Sequence, residues 1–101
     1  MEFTKSHDEK LTMLQEECAE VIVALSKVKR FGYGSRYPAD GPSNMESLHS
    51  EIIDILAVLY ALGEEGGVCG TWFKDALYTQ KPQLKERWEK KLKYTKHQKS
   101  A

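Results

Sequence analysis

The sequence predicts an all-α fold, a four-helix bundle whose long helices suit an interface between subunits. Three observations predict it. Two stretches place apolar residues at alternating three- and four-residue spacing. Glycine and proline cluster between them and after the second. No segment alternates apolar and polar residues as a half-buried strand would.

The first helix is expected over residues 8–31. Its stripe is Leu11, Leu14, Cys18, Val21, Leu25 and Val28, with Ile22 widening it. Ser6 with Glu9 three residues later has the form of a capping box, and Asp8 is an alternative cap. Gly32 is placed to end the helix. Residues 32–43, GYGSRYPADGPS, form a loop, long for a helix–helix connection. Ser43 with Glu46 is a second capping-box form. The second helix follows over residues 44–63, with stripe Met45, Leu48, Ile52, Ile55, Leu59 and Leu62. Ile53, Leu56, Val58 and Tyr60 add apolar surface on other sides, which suits a central or interfacial position. Gly63, Gly66 and Gly67 are expected to end it. A third helix is expected over 71–79, capped by Thr71, and a fourth over 81–95, with Pro82 in its first turn and a thin seam of Leu84, Trp88 and Leu92. The two chain ends are expected to fray.

One domain is the expectation for 101 residues, and a bundle this small commonly gains stability by oligomerising. Net charge is zero but unevenly spread. Residues 1–73 hold 6 Lys and Arg against 12 Asp and Glu, and residues 74–101 hold 9 against 3. Two cysteines are too few for a disulfide framework, and no Cys/His spacing points to zinc. Cys18, on the stripe, is expected to behave as a small buried hydrophobe. The polar start and the lack of a long apolar run lead to an expectation of a soluble, cytoplasmic protein with no membrane partner.

Beside each stripe stand two acids three residues apart: Glu17 and Glu20 on the first helix, Glu51 and Asp54 on the second. The offset between the pairs is 34 residues. Residues i and i+3 share a helical face, so each pair can address one ion. One such pair alone is ordinarily a solvated face. Two pairs, each hard against an apolar stripe, are a stronger pattern, because like charges brought together need a counterion. All-oxygen acidic sites suit Mg²⁺, with Mn²⁺ as a substitute.

EECAE at Glu16–Glu20, followed after a long gap by EIID at Glu51–Asp54, resembles the EExxE…ExxD signature of the MazG-like, all-α nucleoside triphosphate pyrophosphohydrolases. That superfamily includes dimeric dUTPases and dCTP pyrophosphatases. The match spans about residues 8–65. The resemblance implies a four-helix core that forms dimers or dimers of dimers. It implies Mg²⁺-dependent hydrolysis of a nucleoside triphosphate to a monophosphate and pyrophosphate. By position, Glu17, Glu20, Glu51 and Asp54 become metal ligands. Glu16 becomes a further, catalytic acid, either a metal ligand or the group that orients the attacking water. Ser50 stands at the counterpart of Glu16, so the echo between the helices breaks there.

A triphosphate also needs cations, and its base needs a wall. Lys27, two turns beyond Glu20, and Arg36 on the loop are candidates for substrate binding, as are Trp72, Lys74 and Arg87. Lys29, Arg30, Lys81 and Lys85 are further cations, and Tyr33, Tyr37, Phe73 and Tyr78 further aromatics. Each single Lys is better explained as a solubilising surface residue. His49 points away from the acidic face and is expected at the surface. The alternative function is a non-enzymatic helical module whose basic C-terminal tail contacts nucleic acid or a phosphorylated partner. No nucleic-acid recognition motif accompanies that tail, so nucleic acid is not the expected partner. A relative that kept the fold and lost activity would be a third reading, which the presence of all five acids disfavours.

Overall fold

The computed structural model describes residues 4–98, and there the chain is helical throughout apart from connections. The helices are α1 (Lys5–Phe31), α2 (Asn44–Glu64), α3 (Gly67–Tyr78) and α4 (Leu84–Gln98), with a 3₁₀ turn over Lys81–Gln83. The ends expected to fray at residues 1–3 and 99–101 lie outside the described residues. No described helix is long and apolar enough to cross a membrane.

Helices α1 and α2 form an antiparallel hairpin fixed at both ends. At the open end, His7 Nδ1 lies 2.8 Å from Glu65 Oε2, and Lys10 Nζ lies 2.9 Å from Glu65 Oε1. At the loop end, Asn44 Nδ2 donates to Gly32 O at 2.9 Å and to Lys27 O at 3.4 Å. The backbone amides of Asn44 and Met45 donate to Ser35 O and Tyr33 O. The predicted Ser43–Glu46 capping box is present in both directions. Gly32, at φ +88°, ends α1 as its type allows. Loop 32–43 therefore folds back onto the first turn of α2, and Arg36 secures it with bonds to Gly41 O and Glu46.

Several local expectations are corrected. Thr4, not Ser6 or Asp8, caps α1, accepting from the His7 amide at 3.0 Å. The helix therefore starts one turn earlier than expected, at Lys5. Gly63 does not end α2, which runs to Glu64. Thr71 lies inside α3, where its hydroxyl donates to Gly67 O, so it caps nothing. Pro82 sits in the 3₁₀ turn ahead of α4 rather than in α4 itself.

Gly63 and Gly70 make the contact between α2 and α3. A Cβ on Gly70 would stand 3.1 Å from the Gly63 carbonyl oxygen, and one on Gly63 would stand 2.9 Å from Lys74 Cγ. The first obstacle is backbone; the second is the inner part of the Lys74 side chain, with the Lys74 amide nitrogen 3.4 Å and its Cα 3.6 Å away. Gly70→Ala is therefore expected to destabilise by about 1–2 kcal/mol, after the gain in helix propensity is counted. Gly63→Ala should also destabilise, and urea unfolding of the two variants checks both.

Glu65 makes the open end sensitive to acid. Its carboxyl is held below the ordinary value of 4.5, first by its bond with His7 and then by Lys10. A lowered acid stabilises the fold above its unfolded value and loses that effect as pH falls through the folded one. Thermal unfolding followed from pH 7 to pH 3 should show a loss developing below about pH 4.5. That part of the loss should be absent in Glu65→Gln.

Enclosed apolar side chains among the described residues are few: Ala24, Val58 and Leu62. The stripes are only partly covered. Leu14, Val21, Leu48, Ile55 and Leu59 are half-buried, whereas Cys18, Leu25 and Ile52 are exposed. Cys18 is thus not the buried hydrophobe expected. Packing against a single partner helix covers one flank of each stripe and leaves the other open. Helix α4 makes its contacts chiefly with the 3₁₀ turn, and Leu84, Trp88 and Leu92 remain exposed. The radius of gyration is 16.9 Å, against about 13 Å for a compact chain of this length.

Candidate metal centre

The end contacts set the register of the hairpin, and the register sets the site. His7 is joined to Glu65 and Lys27 to Asn44, so residues whose numbers add to about 71 stand level. Glu17 is then level with Asp54, and Glu20 with Glu51. The acids meet because the clamp at one end and the loop at the other admit only this alignment.

Carboxylate oxygens of Glu17, Glu51 and Asp54 all lie within 4.8 Å of one another. Glu17 and Glu51 are half-buried on the shoulder of the stripe, and Asp54 is exposed. Among the described residues, no Lys, Arg or His forms an ion pair with any of the three. The cost appears on Glu17, whose carboxyl is pushed above its ordinary value. Partial desolvation is the main cause, followed by the charges of Asp54, Glu51, Glu20 and Glu16. A divalent cation among these oxygens would supply the missing positive charge, and the donor set is the all-oxygen kind that Mg²⁺ takes.

The remaining candidates fall around this cluster. Glu20 and Glu16 are exposed and outside the group of three, though both act on Glu17 through their charge. His49 is at the surface, as expected. Lys27 and Arg36 line one cavity of about 410 Å³ at the loop end, with Phe31, Tyr37, Asn44 and Ser47. Trp72 lines a shallow depression on α3 with Val68 and Thr71, and its ring is exposed. Lys74 lies along α3 against Gly63, and Arg87 is exposed on α4. The structure thus brings Lys27 and Arg36 together and leaves Trp72, Lys74 and Arg87 outside their cavity.

Asn44 and Ser47 were not singled out from the sequence. The signal was present: each stands seven residues, two turns, before Glu51 and Asp54 respectively. Seven residues return a helix to nearly the same angle. No known protein family, curated protein or solved structure matches this chain.

Proposed function

We propose that the chain is a Mg²⁺-dependent nucleoside triphosphate pyrophosphohydrolase of the MazG-like, all-α kind, converting a (d)NTP and water to a (d)NMP and pyrophosphate. The observation that carries this reading is the convergence of Glu17, Glu51 and Asp54, unpaired and with Glu17 destabilised as an anion. The EExxE…ExxD spacing supports it from the sequence.

On this reading Glu17, Glu51 and Asp54 hold the metal, and Glu20, level with Glu51, completes the ligand set. Bound Mg²⁺ supplies charge neutralisation across the phosphates. Glu16, adjoining Glu17 in the chain, orients the attacking water and takes its proton. Attack at the α-phosphorus breaks the bond to the α–β bridging oxygen, and pyrophosphate leaves. Lys27 and Arg36 contact the substrate from the loop end. Trp72, Lys74 and Arg87 are proposed as contacts made in the assembled oligomer.

A homodimer or homotetramer, with closure of a four-helix core between subunits, is part of the proposal. It is supported by the open flanks of α1 and α2, by the exposed seam of α4 and by the extended shape of the single chain.

The test is a panel of nucleoside triphosphates with Mg²⁺ and then Mn²⁺, with products identified. Monophosphate and pyrophosphate are expected. No product from any nucleotide, or release of inorganic phosphate instead, contradicts the reading.

One observation favours a second reading, a binding module. Helix α4 carries Lys85, Arg87, Lys90, Lys91 and Lys93 on a segment that stands off the body of the chain. Salt-dependent retardation of DNA that persists in Glu17→Gln, without nucleotide hydrolysis by the unaltered protein, is the result that would select it.

A further inference from the structure

The loop-end cavity lies on the same face as the acids. Glu20 and Lys27 are seven residues apart on α1, and the pairs Asn44–Glu51 and Ser47–Asp54 are seven apart on α2. At 1.5 Å per residue, Ser47 is about 6 Å along the axis from Glu51, and Lys27 is about 10 Å from Glu20. The cavity begins where the metal cluster ends, at an offset comparable with the span of a nucleoside.

Its volume of about 410 Å³ falls within the range of small-ligand pockets. It is lined by Lys27, Asn44 and Ser47, with Phe31 and Tyr37, 59% and 96% exposed, bordering it without enclosing it. The two cations differ in availability. Arg36 is engaged with Glu46 at 2.9 Å and with Gly41 O at 2.8 Å, which holds the loop closed over α2. Among the described residues the Lys27 ammonium makes no ion pair or hydrogen bond.

We propose that this cavity takes the nucleoside end of the substrate and that Lys27 selects bases bearing a carbonyl oxygen. The identity of the ligand rests on the hydrolase reading. The selection follows from chemistry. An ammonium only donates. A carbonyl oxygen, with two lone pairs and more negative charge than a ring nitrogen, is its better acceptor. Uracil, thymine, cytosine and guanine carry such an oxygen; adenine does not. The exposed Phe31 and Tyr37 beside the cavity can stack on a base without discriminating among bases. Lys27 is therefore a specificity residue, and it stands a nucleoside's length from the group that reacts.

The test uses nucleoside monophosphates without metal, so it does not depend on turnover. Affinities of dUMP, dTMP, dCMP, dGMP and dAMP are measured by NMR titration of the unaltered protein and of Lys27→Met. The exposed position of Lys27 makes this variant safe for folding. The unaltered protein is expected to bind the four carbonyl-bearing nucleotides about tenfold more tightly than dAMP, as one charge-assisted bond implies. Lys27→Met should bring them to the dAMP level and leave dAMP unchanged. An equal loss for all five would mean that Lys27 grips the phosphate, and it overturns the proposal. So does the lack of any shift in loop residues 32–43 on adding dUMP. If this pattern appears while no triphosphate is hydrolysed, the hydrolase reading falls and the pocket stands. Hydrolysis without the pattern sinks the pocket alone.

Discussion

Glu17→Gln is expected to do two opposite things: abolish Mg²⁺-dependent pyrophosphate release and raise the melting temperature of the metal-free protein. The first follows from the position of Glu17 among the three converging carboxylates. Loss of a ligand exceeds the effect of losing a group that merely orients one, so turnover should fall by more than about 100-fold. The second follows from the direction of its pKa. Glu17 is pushed upward by partial desolvation and by Asp54, Glu51, Glu20 and Glu16. An acid raised in the folded state opposes folding when ionised, and that penalty fades as pH falls through the raised value. Glutamine keeps the shape and removes the charge. At neutral pH without metal the variant should melt above the unaltered protein, and the gap should close below about pH 4.5. Adding Mg²⁺ should raise only the unaltered protein. A variant that melts lower at every pH would show that Glu17 serves packing alone.

On the proposed oligomer, Ile22→Glu is expected to give a monomer. Ile22 is 67% exposed on α1 in the single chain. If the chain were monomeric, a charge there would change stability by less than about 0.5 kcal/mol. At an interface the outcome differs. A buried isoleucine contributes about 1.5–3 kcal/mol, and a two-fold interface counts it twice. The dissociation constant should then rise by roughly two to four orders of magnitude. Ile53→Glu, on the open side of α2, should act in the same direction. Sedimentation velocity over a range of concentrations reads both, and circular dichroism reports whether the helices persist.

The helices were legible because their signals are local. Apolar spacing, Ser43 with Glu46, and Gly32 sit within a few residues of the features they specify. The site was legible only in part: the three-residue spacing puts each acid pair on one face of its helix, whereas which acids stand level is set by the end contacts, and Glu20 stays outside the group of three. What the sequence hid is non-local. His7 and Glu65 are 58 residues apart, and nothing in either neighbourhood announces the other. The α2–α3 contact depends on two glycines whose meaning is close approach, whereas glycine in sequence reads first as a helix end. Thr71 reads as a cap because Gly66 and Gly67 read as the end of the preceding helix, yet α3 already begins at Gly67. Cys18 and Ile52 belong to stripes and are nonetheless exposed, because one facing helix is too narrow to cover a stripe of this width.

On the proposed reading, carboxylates from two helices share one divalent cation. The decisive experiment is calorimetric titration of the metal-free protein with Mg²⁺ in two buffers of different ionisation enthalpy. Saturable uptake is predicted, lost in Glu17→Gln and in Asp54→Asn. Proton release should accompany it and grow as pH is lowered toward the raised value of Glu17. Identical isotherms for all three proteins, or no saturable heat at all, would contradict it.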